Sequence, residues 1–186
     1  DKELVNRWID YVKQGGNLVL TCRTAQKDRF GRLPEMPFGA MINELTGNEL
    51  EFYDLLLPEE PGKVVMDGKT YTWNTWGEIL KPGKDSQVWA TYIDEFYEGK
   101  PAVTTRKLGK GTITYMGVDS KDGAMEQDLL KKLYAHLNIP VMDLPYGVTL
   151  EYRNGLGIVL NYSDKPYQFK LPSNSQVLIG ETNIPT

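Results

Sequence analysis

Residues 100–117 read KPAVTTRKLGKGTITYMG, and the pattern of this stretch sets how the rest of the chain is organised. Val103 and Thr105 precede Gly109-Lys110-Gly111, and the β-branched run Thr112, Ile113 and Thr114 follows with Tyr115. Two β-rich runs around a glycine turn predict strand, tight turn, strand. The Gly-Lys pair has only a superficial likeness to a phosphate loop. A Walker motif needs a glycine five residues before that pair and Ser or Thr directly after the lysine. Here position 104 is threonine and Gly111 follows Lys110, so turn geometry explains the glycines better than phosphate binding.

Upstream, Leu4, Val5, Trp8, Ile9 and Val12 recur at helical spacing, and Gly15-Gly16 supplies a stop. Leu18-Val19-Leu20-Thr21-Cys22 then reads as a short buried strand. A helix feeding such a strand is the second half of a βαβ crossover, so the chain is expected to begin in mid-fold. Residues 23–36 are polar and aperiodic, as a surface loop would be. Pro37 suits the first turn of a helix with Phe38, Met41, Ile42 and Leu45 on its buried stripe and Gly47 at its end. A strand is expected over Glu49–Tyr53.

Residues 58–100 are β in character. Lys63–Met66 and Lys69–Trp73 flank Asp67-Gly68, a hairpin signal, and Trp76–Leu80 and Val88–Tyr92 predict two further strands. Beyond the opening hairpin, Met125, Leu129, Leu133 and Leu137 line one face of a helix that Asn138 and Pro140 close. The texture then changes to four short strands: Gly147–Tyr152, Leu156–Tyr162, Tyr167–Leu171 and Gln176–Gly180. These readings give an α/β domain over 1–140, with the hairpin as an insertion, and a small antiparallel β domain over 141–186.

Composition narrows the function classes. The 186 residues are 40% hydrophobic and 25% charged, as in a soluble globular protein. A formal charge of −4 argues against a nucleic-acid surface, and no run is long and apolar enough for a membrane helix. A single cysteine excludes an internal disulfide and fits a reducing, cytoplasmic setting. With one cysteine and one histidine, metal and Cys/His chemistry have little to work with, and no cofactor or metal site is expected.

Each candidate for chemistry has a plainer explanation. Cys22 ends a strand, but a nucleophile elbow needs small neighbours and the flanks are Thr21 and Arg23. His136, the one available base, falls at the edge of a helix's apolar face. Lys100, Arg106, Lys107 and Lys110 form a basic cluster that reads as a solvated hairpin face, with an acidic patch on a neighbouring subunit as the alternative. The groups Glu59/Glu60 and Asp94/Glu95/Glu98 sit in polar loops rather than across a cleft. Asp119, Asp122 and Asp128 lack the spacing of a calcium loop, and Asn161-Tyr162-Ser163 is a formal glycosylation sequon. The aromatic run Tyr71, Trp73, Trp76, Trp89, Tyr92, Phe96 and Tyr97 is the strongest candidate surface. Core packing is the first reading of these rings, a subunit interface the second and sugar stacking the third.

Several segments resemble family-42 glycoside hydrolases (β-galactosidases) in the expected order. Tyr11-Val12-Lys13-Gln14-Gly15-Gly16-Asn17-Leu18-Val19-Leu20-Thr21 is similar to the family's helix–strand unit, and Arg23-Thr24 with Lys27-Asp28 to the loop after it. Phe96-Tyr97-x-Gly99-x-Pro101-Ala102 with Gly109-Lys110-Gly111 and Tyr115-x-Gly117 resembles the hairpin of its oligomerisation domain. Leu144-Pro145-x-Gly147-Val148 and Leu160-Asn161-Tyr162-Ser163 resemble the start of its C-terminal β domain. The resemblance implies a partial flavodoxin-like or amidotransferase-like layer that mediates trimer assembly. It places the catalytic barrel and its two glutamates before Asp1, and no recognisable last strand follows Pro185-Thr186. The chain is therefore expected to carry no catalytic residue, and to be a structural, oligomerising part of an enzyme that hydrolyses terminal β-galactosides with retention. Trp73, Trp76, Trp89, Tyr92, Phe96 and Tyr97 are its candidate interface or sugar contacts. The alternatives are a carbohydrate-binding module built on Trp73, Trp76 and Trp89, and, more distantly, a Cys22 amidotransferase-like enzyme.

Overall fold

A computed structural model describes residues 1–37 and 39–180 together with the backbone of 183 and 184. The chain divides into two units, Asp1–Leu133 and Tyr134–Thr186.

The first unit opens with α1 (Lys2–Lys13), whose N-cap is Asp1, its carboxylate accepting from Leu4 N at 3.0 Å. Glu3 in the first turn and Lys13 in the last suit the helix dipole. Val5, Ile9 and Val12 are buried, whereas Leu4 of the expected stripe points outward. Each buried side chain contributes about 1.5–3 kcal/mol of apolar burial, and that burial docks the helix.

After β1 (Asn17–Thr21) the loop runs as expected, but the helix expected from Pro37 is shorter. A 3-10 turn over Ala40–Ile42 leads into α2 (Asn43–Thr46), a single turn. Gly39 at φ 74 and Gly47 at φ 70 bracket the two pieces, which limits their length. Ile42 and Leu45 are buried and Met41 packs beside them, while Phe38 of that stripe lies outside the described residues.

The strands that follow are β2 (Asn48–Asp54), β3 (Gly62–Met66), β4 (Lys69–Pro82), β5 (Ser86–Tyr92), β6 (Pro101–Leu108), β7 (Gly111–Met116) and β8 (Val118–Ser120). The strands expected over Lys69–Trp73 and Trp76–Leu80 are one strand, β4, with a register shift between Trp73 and Gly77 where Thr75 takes φ 80. The first half of β4 pairs with β3 and the second with β2, so one strand serves two hairpins.

Among the described residues eight strands form one sheet, in the order β1-β7-β6-β5-β3-β4-β2 with β8 on β4. The ladder between β1 and β7 is parallel, and the others described in this sheet are antiparallel. The domain is a mixed sheet with few helices. One core gathers α1, Ile42, Leu45, Leu20, Leu80, Ile113 and Tyr115. The other joins Trp73, Ile79, Tyr92, Tyr97 and Met116 to Met125 and Leu129 of α3 (Ala124–His136).

The hairpin tip explains its own glycines. Lys110 N donates to Lys13 O at 3.1 Å and Thr112 N to Gly16 O at 3.3 Å, so the tip satisfies carbonyls at the end of α1. A Cβ at Gly111 would stand 2.0 Å from Gly16 O, and Gly109, at φ 63, would set one 2.7 Å from Lys13 O. Contact with the helix end excludes side chains there.

In the second unit β9 (Val148–Arg153) pairs antiparallel with β10 (Leu156–Asn161), and β11 (Tyr167–Gln168) with β12 (Asn183–Ile184). The strand expected over Gln176–Gly180 is absent. Its apolar residues Val177, Leu178 and Ile179 are exposed, and Tyr167–Gln168 pairs further along the chain instead.

Candidate functional site

The carboxyl ends of the parallel strands β1 and β7 converge on Glu78 of β4. Gly117, just past β7, locks the strands together: its carbonyl accepts from Glu78 N at 2.7 Å, and its N–H donates to Ala102 O at 2.8 Å. Glu78 is fully buried. Its Oε1 accepts from Arg23 N at 2.8 Å, Gln26 Nε2 at 2.9 Å and Trp76 Nε1 at 3.1 Å, and its Oε2 from Tyr115 Oη at 2.6 Å. The Tyr92 hydroxyl donates to the Glu78 carbonyl at 3.0 Å. A buried carboxylate is costly unless its oxygens are satisfied, and four donors meet that need here. Burial, with the Glu78 carboxylate beside it, pushes the Tyr115 hydroxyl well above the ordinary tyrosine range, so it remains a donor.

Cys22 lies at the edge of this cluster, its thiol donating to Asp119 Oδ2 at 3.5 Å. Burial pushes the thiol well above its ordinary pKa, and the charges of Asp119 and Glu78 add to the effect. A thiol held protonated is a poor nucleophile, and the left-handed residue at this corner is Arg23 (φ 65), the one after the cysteine. The geometry is that of a polar hub that ties the loop after β1 to the sheet.

The six aromatic candidates part company. Trp73, Tyr92 and Tyr97 are core residues in edge-to-face contact, Trp73 with Tyr92 at 5.6 Å and Tyr92 with Tyr97 at 5.0 Å. Trp76 is half-buried, with the Tyr53 ring stacked on it at 4.3 Å and the Arg23 guanidinium 5.0 Å from its centroid. Trp89 carries the Lys132 ammonium at 4.9 Å. Phe96 is the exposed member at 82%, its ring resting on Phe52 at 5.5 Å.

The basic cluster is also divided. Lys100 pairs with Glu51 at 2.9 Å. Arg106 donates to Leu45 O at 3.1 Å and to Glu44 O, closing the end of α2, and burial lowers its pKa. Lys107 and Lys110 are exposed, and neither is in an ion pair among the described residues. A surface cleft of about 410 Å³ beside Arg106 is lined by residues of both charges, among them Lys81, Lys84 and Asp85.

Of the carboxylates, Glu59, Glu60, Glu95 and Glu98 are exposed and Asp94 is half-buried. Asp128 accepts from Lys69 Nζ at 2.6 Å and Tyr71 Oη at 2.8 Å, which holds its pKa below the usual carboxylate range. Asn161 is engaged in its own turn, accepting from Ser163 N at 3.0 Å. His136 is exposed at the end of α3. Among the described residues no three His, Cys, Asp or Glu side chains are placed to share a metal, and no helix is long and apolar enough to cross a membrane.

Sequence reasoning missed Glu78, Gln26 and Tyr115. The signal available was Glu78 itself, the one acid in the otherwise apolar run Trp76–Leu80, where a buried carboxyl group must find partners.

The model of the β-galactosidase trimerisation domain matches residues 1–145. β-Galactosidase BgaH of Haloferax lucentense is 28% identical over 183 residues, which are 98% of this chain and 27% of that protein. A catalytic mutant of Gan42B, a GH42 β-galactosidase from G. stearothermophilus, superposes with a TM-score of 0.77 at 25% identity, covering 88% of this chain and 25% of that one. The β-galactosidase of the Antarctic haloarchaeon Halorubrum lacusprofundi shares the fold with a TM-score of 0.86 at 24% identity, over 100% of this chain and 28% of that one. The chain thus spans about a quarter of the length of these relatives.

Proposed function

Because the chain belongs to the β-galactosidase trimerisation-domain family, we propose that its work is assembly: it presents an oligomerisation surface and supports a catalytic barrel supplied elsewhere in the same polypeptide. The observation that carries this reading is the family match across residues 1–145, which spans the whole mixed sheet. On this reading the enzyme hydrolyses terminal β-galactosides with retention, through two carboxyl groups that this chain does not supply. The parallel pairing of β1 with β7 beside α1 supports reading this layer as part of a flavodoxin-like or amidotransferase-like sheet.

The geometry favours assembly over sugar binding at the tryptophans. Stacking on a sugar needs an accessible ring face. Trp73 is interior, and Tyr53, Arg23 and Lys132 occupy ring faces of Trp76 and Trp89.

Sedimentation equilibrium tests the assembly reading, with a trimer as the expected species and a monomer at every concentration as the outcome that overturns it. Titration with galactose and galacto-oligosaccharides should leave tryptophan fluorescence unchanged. Turnover of an aryl β-galactoside by this chain, lost on changing one of its own Asp or Glu residues, would refute the non-catalytic reading.

A further inference from the structure

The same turn closes two hairpins of this chain. The β3–β4 hairpin turns on Asp67-Gly68, at φ 51 and 78, and the β9–β10 hairpin on Asn154-Gly155, at φ 52 and 81. Left-handed values at both central residues make each a type I′ turn. All four residues are exposed. The turns differ in what holds them shut. β3 pairs on its other side with β5, β4 continues onto β2 and β8, and Val64, Met66 and Tyr71 beside the turn are buried. Lys132 of α3 holds Asp67 Oδ1 at 2.6 Å. β9 and β10, by contrast, form a sheet of two strands, and Leu156, Ile158 and Leu160 of β10 are exposed. A two-stranded hairpin with so little apolar burial is marginal in water and opens at low cost.

The second turn also carries chemistry of its own. Asn154-Gly155 is the one Asn-Gly pair in the sequence. Among the described residues the Asn154 amide makes no hydrogen bond, whereas Asn48 donates to Thr104 Oγ1 at 2.6 Å and Asn161 to Lys165 O at 2.8 Å. The space beside Gly155 is open, with nothing within 4 Å of where a Cβ would stand, so its peptide nitrogen is unshielded. A side-chain amide and an unshielded peptide nitrogen one residue on are the two reactants of an intramolecular acyl transfer.

We propose that Asn154 is a site of spontaneous covalent modification, selected by the weakness of its hairpin. Gly155 N attacks Asn154 Cγ, and the new C–N bond closes a succinimide ring. The side-chain nitrogen leaves with the proton of the Gly155 N–H as ammonia. Water then opens the ring at either carbonyl, giving aspartate or an isoaspartate whose backbone runs through the side chain. The isoaspartate adds a methylene to the turn, so two residues no longer close the pairing of Arg153 with Leu156. Ring closure needs residue 154 to rotate out of the turn, so the rate follows how often the hairpin opens. Peptide mapping by mass spectrometry, after long incubation of the folded chain in mildly alkaline buffer, reads the product as an acid in place of the amide at position 154. The variant Asp67→Asn writes the same Asn-Gly pair into the first turn and serves as the comparison. In that folded variant, position 154 should react at least about tenfold faster than position 67, a difference of about 1.4 kcal/mol in opening. In urea the two positions should react at equal rates, because the strands no longer distinguish them. Equal rates in the folded variant overturn the inference. So does a wild-type chain that stays unmodified at Asn154 while folded but reacts in urea.

Discussion

Gly111 and Gly99 are both glycines of the hairpin region, yet different constraints hold them. Gly111 has no room, since a Cβ would collide with Gly16 O at 2.0 Å and Val12 O at 2.4 Å, both backbone atoms. Gly99 has open space but sits at φ 82. Gly111→Ala should therefore cost about 3 kcal/mol or more, by forcing the tip off the helix. Gly99→Ala should cost only about 1–2 kcal/mol of left-handed strain. Urea denaturation of the two variants checks the order, and equal losses would contradict the close-approach account. Glu78 offers a second test. Glu78→Ala strands the donors of Arg23, Gln26, Trp76 and Tyr115, and each buried unpaired group costs about 1–3 kcal/mol. The variant should lose at least about 3 kcal/mol, and faster amide exchange at Arg23 should accompany the loss. The acid at position 78 was visible in the sequence, but its partners were not, because its donors come from positions as distant as 23 and 115.

At the scale of elements, the sequence was readable where a local period was complete. α1, β1, β2, β3, β5, the β6–β7 hairpin and α3 fall where hydrophobic spacing and turn residues predicted them. It misled where tertiary pairing overrode local punctuation. Asn74-Thr75 looked like a break between two strands, but β2, β3 and β8 hold the stretch as one. The break survives as strain, a β-branched Thr75 at φ 80. Thr75→Gly should relieve that strain, about 1–3 kcal/mol, at an entropic cost of about 0.5–1 kcal/mol. A net gain of about 1 kcal/mol is expected, read as a higher urea midpoint, and a lower midpoint would show that Thr75 is not strained. The missing strand at Gln176–Gly180 is the converse case, β-prone residues with no ladder to join.

For the whole molecule, buried tyrosines link stability to pH. Burial raises the hydroxyls of Tyr92, Tyr97 and Tyr115 above the ordinary range, helped by Tyr97 and Glu78 at Tyr92, Asp54 at Tyr97 and Glu78 at Tyr115. The folded state thus holds these protons more tightly than the unfolded chain, whose tyrosines titrate near about 10. Their stabilising contribution is fully present below that pH and is lost as pH rises above it, since the unfolded chain can then ionise and the folded one cannot. Stability should be level near neutrality and fall cooperatively above about pH 10. Tyrosinate absorbance should appear together with unfolding, and its appearance in the folded state would contradict the burial argument. Cys22, raised in the same sense, adds a shallower decline from about pH 8.5.

The sequence by itself determined the family, the hairpin and the amphipathic helices, because turn chemistry and hydrophobic period are local properties written in neighbouring residues. Only the tertiary structure decided which aromatics are core and which is surface. Trp73, Tyr97 and Phe96 are all large aromatics, yet β4 turns Trp73 inward, and of the two rings in the turn between β5 and β6 Tyr97 is buried while Phe96 is left at 82% exposure. It likewise decided that the Gly-Lys-Gly turn caps a helix and that an acid in β4 gathers donors from three separate segments. Those contacts join residues tens of positions apart, and no local period records them.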